Sequence, residues 1–283
     1  MNPNECTHIL ENEFLKLTVS DIGGEPRSLI CKKTGREYLY NADPTWWDNT
    51  SPILFPVCGR FHNETYIHDG KEYTMPIHGF VRRNPMELVK ISETTCTHRR
   101  HSDEVSLPQY PFEFDFKITH ELVGKSVKIT FSIKNENDVT MPFQVGAHPA
   151  FFAKPGDILT FKGKDNITYK MLDNKLLSDT DYPTEKKVAL TEDMFANNAW
   201  FVTGNQLHAA SLSDENGEYL EVSFTGFPAA GFWNVPGSPY ICIEPWFGSD
   251  DVQGTDDVFA HRYCMQFLEP GNTFEISYYI NIR

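Results

Sequence analysis

The stretches Phe112-Glu113-Phe114-Asp115-Phe116-Lys117-Ile118 and Val127-Lys128-Ile129-Thr130-Phe131-Ser132-Ile133 decide the fold. In both, apolar side chains recur at every second residue. That is the period of a strand with one face on a core and one in water, not the 3.6-residue period of a helix. Between the runs, Val123-Gly124-Lys125 offers a turn, so the two stretches read as a hairpin.

The same alternation spreads in both directions. Leu15, Leu17 and Val19 show it near the start. Leu220, Val222 and Phe224 show it later, and Phe274, Ile276, Tyr278 and Ile280 close the chain with it. Turn signals separate other runs: Thr34-Gly35, Asp69-Gly70 and Asn216-Gly217. The segments from Ala42 to Pro52, which contains Trp46 and Trp47, and from Ser102 to Pro111 read as loops. Helix is scarce. The best candidate is Thr191 to Asn197, with Thr191 as N-cap and acidic residues in the first turn. These patterns predict an all-β protein: one large antiparallel β-sandwich with few short helices, occupying residues 1–283 as a single domain.

Composition narrows the function. The chain has 283 residues, 40% of them hydrophobic, which is enough for a large core. Its formal net charge of −14 repels polyphosphates, so nucleic acid is not an expected partner. No apolar run is long enough to span a bilayer, and no signal peptide is evident, so a soluble, cytoplasmic protein is expected. The six cysteines are widely separated and form no C-x-x-C pair. Cys58 and Cys242 sit in apolar strings and read as buried thiols.

Four polar residues stand in stiff, apolar surroundings: Arg60 in Phe55-Pro56-Val57-Cys58-Gly59-Arg60, His78 in Pro76-Ile77-His78-Gly79-Phe80, His148 in Gly146-Ala147-His148-Pro149-Ala150-Phe151, and Glu244 in Ile241-Cys242-Ile243-Glu244-Pro245-Trp246. A lone histidine before glycine is most often structural. His148 stands out more, at a sharp bend among small residues. Glu244 is the most telling, because glutamate is rarely buried without a partner. One reading pairs it with Arg60 or another arginine. The other makes it a general base whose pKa is raised by desolvation. Pro245 places Glu244 in extended geometry, read as a strand end. Phe80, Trp233 and Trp246 supply flat apolar faces on which a sugar ring could stack.

Other chemistries lack their motifs. There is no H-E-x-x-H, no G-x-S-x-G, no Walker loop and no G-x-G-x-x-G. Asp250-Asp251 and Asp256-Asp257 do not have the spacing of a calcium loop.

The four strings together resemble the aldose 1-epimerase (galactose mutarotase-like) family, most closely its LacX-like branch. The resemblance extends along nearly the whole chain. It implies a large β-sandwich with an open cleft, interconverting the α and β anomers of an aldose without metal or other cofactor. It implies His148 as general acid, Glu244 as general base, and Arg60 and His78 as residues that bind the sugar. The implied partner is a small-molecule sugar, an aldohexose in free or phosphorylated form; the chain is expected as a monomer or homodimer.

Two departures concern specificity. Galactose-specific members carry a further aspartate between the two catalytic motifs, and here only Asp181 and Asp193 offer themselves. The Asn-Gly string before the galactose-type histidine is absent. His78-Gly79-Phe80-Val81-Arg82 also matches the H-G-F-x-R string of hexose-6-phosphate epimerases, making Arg82 a candidate phosphate ligand. The alternatives to a free-hexose mutarotase are therefore a hexose-6-phosphate 1-epimerase, or a carbohydrate-binding or sensing protein that keeps the cleft without turnover.

Overall fold

The computed structural model describes residues 6–283. Two sheets carry the architecture. The larger has nine strands, in the order Lys187–Ala189, Ile158–Gly163, Leu207–Asp214, Gly217–Ser223, Thr273–Ile282, Ser126–Asn135, Phe114–Val123, Thr95–His101 and Glu87–Ile91, all antiparallel. The second has the order Trp200–Val202, Ala229–Trp233, Tyr240–Phe247, Val145–Ala147 and Ile53–Leu54, with Ala150–Phe152 also pairing with Tyr240–Phe247. A third, smaller sheet joins Thr7–Glu11, Leu15–Ser20 and Pro26–Cys31.

The alternation read from sequence fills the space between the two main sheets. Phe114, Phe116, Ile118, Val127, Ile129, Phe131 and Ile133 are buried, and their polar neighbours on the same strands are more exposed. Phe55, beside the second sheet, stacks on Phe116 of the first at 4.8 Å and packs edge-on to Phe114 at 5.1 Å. Farther along, Phe161 meets Phe232 edge-to-face at 4.9 Å. The result is the expected β-sandwich, held by apolar burial and aromatic contact.

The central hairpin turns at Gly124 and Lys125, with Val123 facing Ser126. Asp69 and Gly70 turn another with positive φ. The hairpin near Asn216 is also present, but Asp214 pairs with Gly217, so its turn residues are Glu215 and Asn216 rather than Asn216 and Gly217. One expectation fails. Thr191–Asn197 is a succession of turns, with the amides of Met194, Ala196 and Asn198 bonded to the carbonyls three residues back. Seven residues repay the cost of helix nucleation poorly. The Thr191 hydroxyl bonds to the Asp193 carboxylate rather than capping a helix. Among the described residues the only helical segments are the 3₁₀ turns Val81–Arg83 and Phe259–His261.

Candidate active site

The strand Tyr240–Phe247 organises the site. Its side chains alternate: Ile241 and Ile243 join the main core, while Glu244 and Trp246 face a cavity on the other side of the sheet. Pro245 does not end this strand as the sequence reading expects. It pairs with Ala230, and the strand runs on to Phe247. A proline lacks the N–H a central strand needs. Here the neighbouring chain is itself interrupted. Val145–Ala147 and Ala150–Phe152 both pair with this strand, and the His148-Pro149 bend lies between them. The gap that tolerates Pro245 is thus the bend that brings His148 to Glu244.

His148 Nε2 lies 3.2 Å from Glu244 Oε2. Both side chains are almost wholly buried, at 9% and 2% exposure. Among the described residues no arginine pairs with Glu244, so the arginine ion-pair reading does not hold. Burial pushes the Glu244 carboxyl well above its ordinary value; the nearby Asp250 charge adds to the rise, and Trp246 opposes it. Burial drives the His148 imidazole down to about 3. Both shifts disfavour charge, as expected for groups removed from water. Among the described residues, neither Glu244 Oε2 nor His148 Nδ1 has an aligned hydrogen-bond partner. The pair is surrounded by rings: Trp47 lies 4.9 Å and Trp233 5.8 Å from the His148 ring.

His78 is held from two directions. Its N–H donates to the Gly59 carbonyl at 2.7 Å, and its Nδ1 accepts the Gly59 N–H at 3.0 Å. An accepting Nδ1 leaves the ring proton on Nε2. Burial, and after it the nearby His148, holds the imidazole well below its ordinary pKa, so it is neutral. The backbone is unusual, with φ of +63° at His78 and +71° at Gly79. Glycine is required at 79, where a β-carbon would lie 2.1 Å from the Phe55 carbonyl oxygen. The His78 ring meets that of His148 edge-on at 5.4 Å and that of Trp246 at 5.7 Å.

Arg60 is positioned through its backbone. Its N–H donates to Asp250 Oδ1 at 2.8 Å. The buried Arg262 clamps the same loop, donating to the carbonyls of Arg60, Cys58 and Ser249 and pairing with Asp251. Burial raises Asp250 to about 6, against the pull of the Arg60 N–H.

A cavity of about 460 Å³ brings the predicted residues together. Arg60, His78, Arg82, His148, Trp233, Glu244 and Trp246 all line it. That volume suits one small molecule. Phe80 does not reach it. Past the Gly79 turn its ring swings into the core, 3% exposed, and packs on Phe114. Asp181 and Asp193 are also elsewhere: Asp181 pairs with Lys170, and Asp193 accepts from Thr191. The further carboxylates on the cavity wall are Asp48 and Asp250. Trp47 stands in sequence only as an aromatic near the candidate residues, Asp48 and Arg262 carry no sequence signal, and Asp250 appears only as part of a calcium pattern it does not form. One donor atom each from His148, Cys242 and Glu244 lie within 4.8 Å of one another, a set that could also hold a metal ion.

Comparison with known proteins places the chain in a family. Residues 7–277 match the model of the family described as aldose 1-epimerase. The chain is 31% identical over 296 aligned positions to the plasmid form of protein LacX from Lactococcus lactis subsp. lactis, covering 96% of this chain and 98% of that protein. It superposes with a TM-score of 0.93 on a galactose mutarotase related enzyme from Lactobacillus acidophilus, at 29% identity, over 98% of this chain and 97% of that one. A galactose mutarotase-like protein from Lactobacillus casei ATCC 334 shares the fold, with a TM-score of 0.91 at 22% identity over 98% of this chain and all of that one. With the family model matched nearly end to end, this chain belongs to the aldose 1-epimerase family.

Proposed function

We propose that the chain interconverts the α and β anomers of a hexose, with Glu244 and His148 moving the protons. One observation carries this reading: the carboxyl and the imidazole meet at 3.2 Å on the wall of a sugar-sized cavity that His78 and Arg60 also line. Mutarotation removes the proton of the anomeric hydroxyl and delivers one to the ring oxygen. In the reactive form Glu244 is a carboxylate and His148 an imidazolium. Ring opening passes the O1 proton to Glu244 and the imidazolium proton to the ring oxygen. Rotation about C1–C2 exposes the other face of the aldehyde, and closure returns both protons. Burial favours the neutral pair, so the charges are discharged as the ring opens. Such acid–base assistance contributes about 10²–10⁴-fold for each group.

His78, neutral with its proton on Nε2, is suited to donate to a sugar oxygen. Arg60 supplies positive charge to the same end. Trp233 and Trp246 offer ring faces for the sugar C–H surface. Anomer exchange of glucose and galactose followed by NMR tests the reading. Saturable sugar binding without exchange would favour a binding or sensing role.

A phosphorylated hexose is the second reading, favoured by the arginines. Arg60 Nε and Arg82 Nε are buried without a hydrogen-bond partner among the described residues, and Arg83 joins them on the cavity wall. Burial and the adjacent Arg83 lower Arg82 to about 10, which still leaves it cationic at neutral pH. A sugar phosphate would neutralise this group. Glucose 6-phosphate in the same exchange assay separates the two substrate classes.

A further inference from the structure

A second cluster of chemically active side chains lies on another sheet. Cys96 and His98 are on the strand Thr95–His101, and His120 is on the adjacent strand Phe114–Val123. Cys96 pairs directly with His120, and His98 is two residues along from Cys96. Period two therefore puts all three on one face. All three are fully buried. One donor atom from each lies within 4.8 Å of the others, and Cys96 Sγ is 4.0 Å from His120 Nδ1.

The histidines are poorly satisfied for groups so deep. Among the described residues, His98 Nδ1 and His120 Nε2 have no hydrogen-bond partner. Buried polar atoms are normally hydrogen-bonded, and an exception calls for an explanation. His98 is also oriented from outside, with its Nε2 3.0 Å from Asp21 Oδ1. A proton on Nε2 leaves Nδ1 as a lone pair pointing into the protein. A carboxylate behind a ligating imidazole is the usual outer support of a metal site. The same Asp21 oxygen lies 2.7 Å from His8 Nε2, and His8 and Asp21 are 20% and 25% exposed. They lead from the surface to the cluster.

We propose that Cys96, His98 and His120 form a transition-metal site, supported by Asp21, for a borderline-to-soft ion of the Zn²⁺ class. A thiolate with two imidazoles is a donor set for such ions. Charge balances: the dication, the Cys96 thiolate and the Asp21 carboxylate sum to zero in the interior. The metal-free Cys96 carries a thiol proton. Binding therefore forms the metal–sulfur bond and releases that proton to solvent. Zinc–ligand distances of roughly 2.0–2.3 Å require the donors to draw together by up to about 1.5 Å, within reach of side-chain rotation.

Titration of the metal-stripped full chain with Co²⁺ tests this. One equivalent should produce a thiolate-to-metal charge-transfer band, and Zn²⁺ should erase it. Cys96→Ser should abolish the charge-transfer band, Asp21→Asn should weaken affinity about 10–100-fold, and Cys242→Ser should leave the spectrum intact. Absence of a thiolate band in the unmodified chain overturns the proposal. So does a band that survives Cys96→Ser, or one lost with Cys242→Ser, which would place the ion at His148 and Glu244. If Cys96→Ser does not fold, Cys96→Ala replaces it with the same expected loss.

Discussion

Gly231 and Glu244 face each other across the ladder between Ala229–Trp233 and Tyr240–Phe247. A β-carbon at 231 would lie 3.3 Å from Glu244 Cδ and 3.4 Å from Oε2. The missing side chain is the space in which the carboxyl stands. Gly231→Ala should shift the carboxyl by a few tenths of an ångström while the sheet pairing survives. Since misplacement by 1 Å can cost 10²-fold, kcat for anomer exchange should fall by roughly tenfold. A thermal unfolding curve close to that of the unmodified chain should accompany it. Unchanged kcat would show that the carboxyl position is not critical.

Gly79 makes a different prediction. A side chain there would need positive φ and would collide with the Phe55 carbonyl at 2.1 Å. Gly79→Ala should therefore destabilise the chain by about 3 kcal/mol or more, because both strain and forced backbone movement are involved. Urea midpoints measure this directly. Where the variant remains folded, sugar affinity should drop as well, since His78 loses its seat against Gly59.

Arg262 lies under the cavity rather than in it. Its guanidinium holds the loops carrying Arg60 and Asp250. Replacing one partner of a buried, hydrogen-bonded ion pair costs about 3–5 kcal/mol. Arg262→Met should approach that loss in urea unfolding. Arg262→Lys should recover part of it, yet still raise KM, because one ammonium cannot serve three carbonyls and a carboxylate.

Asp250 sets a pH dependence whose direction is fixed. Its carboxyl titrates at about 6 in the folded chain, against an ordinary value of 3.8. Between those values the folded state holds a proton that the unfolded chain releases. The stability this group contributes is complete below about pH 4 and is lost as pH rises through 6. Asp250→Asn removes the effect, so the variant should gain stability relative to the unmodified chain between pH 4.5 and pH 7. At about 1.4 kcal/mol per unit, the gain is at most about 3 kcal/mol. Urea unfolding of both proteins at the two pH values checks the sign. A difference independent of pH would show that Asp250 ionises normally.

These predictions draw on residues of unequal visibility in the sequence. The strands were legible because burial on one face writes itself as period two, as in Phe114 to Ile118 and Val127 to Ile133. Glu244, His148, His78 and Arg60 were legible because polar groups in apolar strings are conspicuous. Asp48, Trp47 and Asp250 come from loops, which carry no periodic signal, and their place on the cavity depends on distant chain segments. Phe80 shows the reverse limit. Its neighbours in sequence line the cavity, but the turn at Gly79 directs its ring to Phe114. Pro245 read as a strand end because its missing N–H is costly. Only the folded sheet shows that the facing chain breaks at His148-Pro149.

The most direct measurement is anomer exchange by NMR, on the unmodified chain and on Glu244→Gln, with glucose, galactose and glucose 6-phosphate. The account predicts acceleration of at least one of these sugars, reduced about 10²–10⁴-fold by the substitution, with sugar binding retained. Exchange as fast in Glu244→Gln as in the unmodified chain would contradict it.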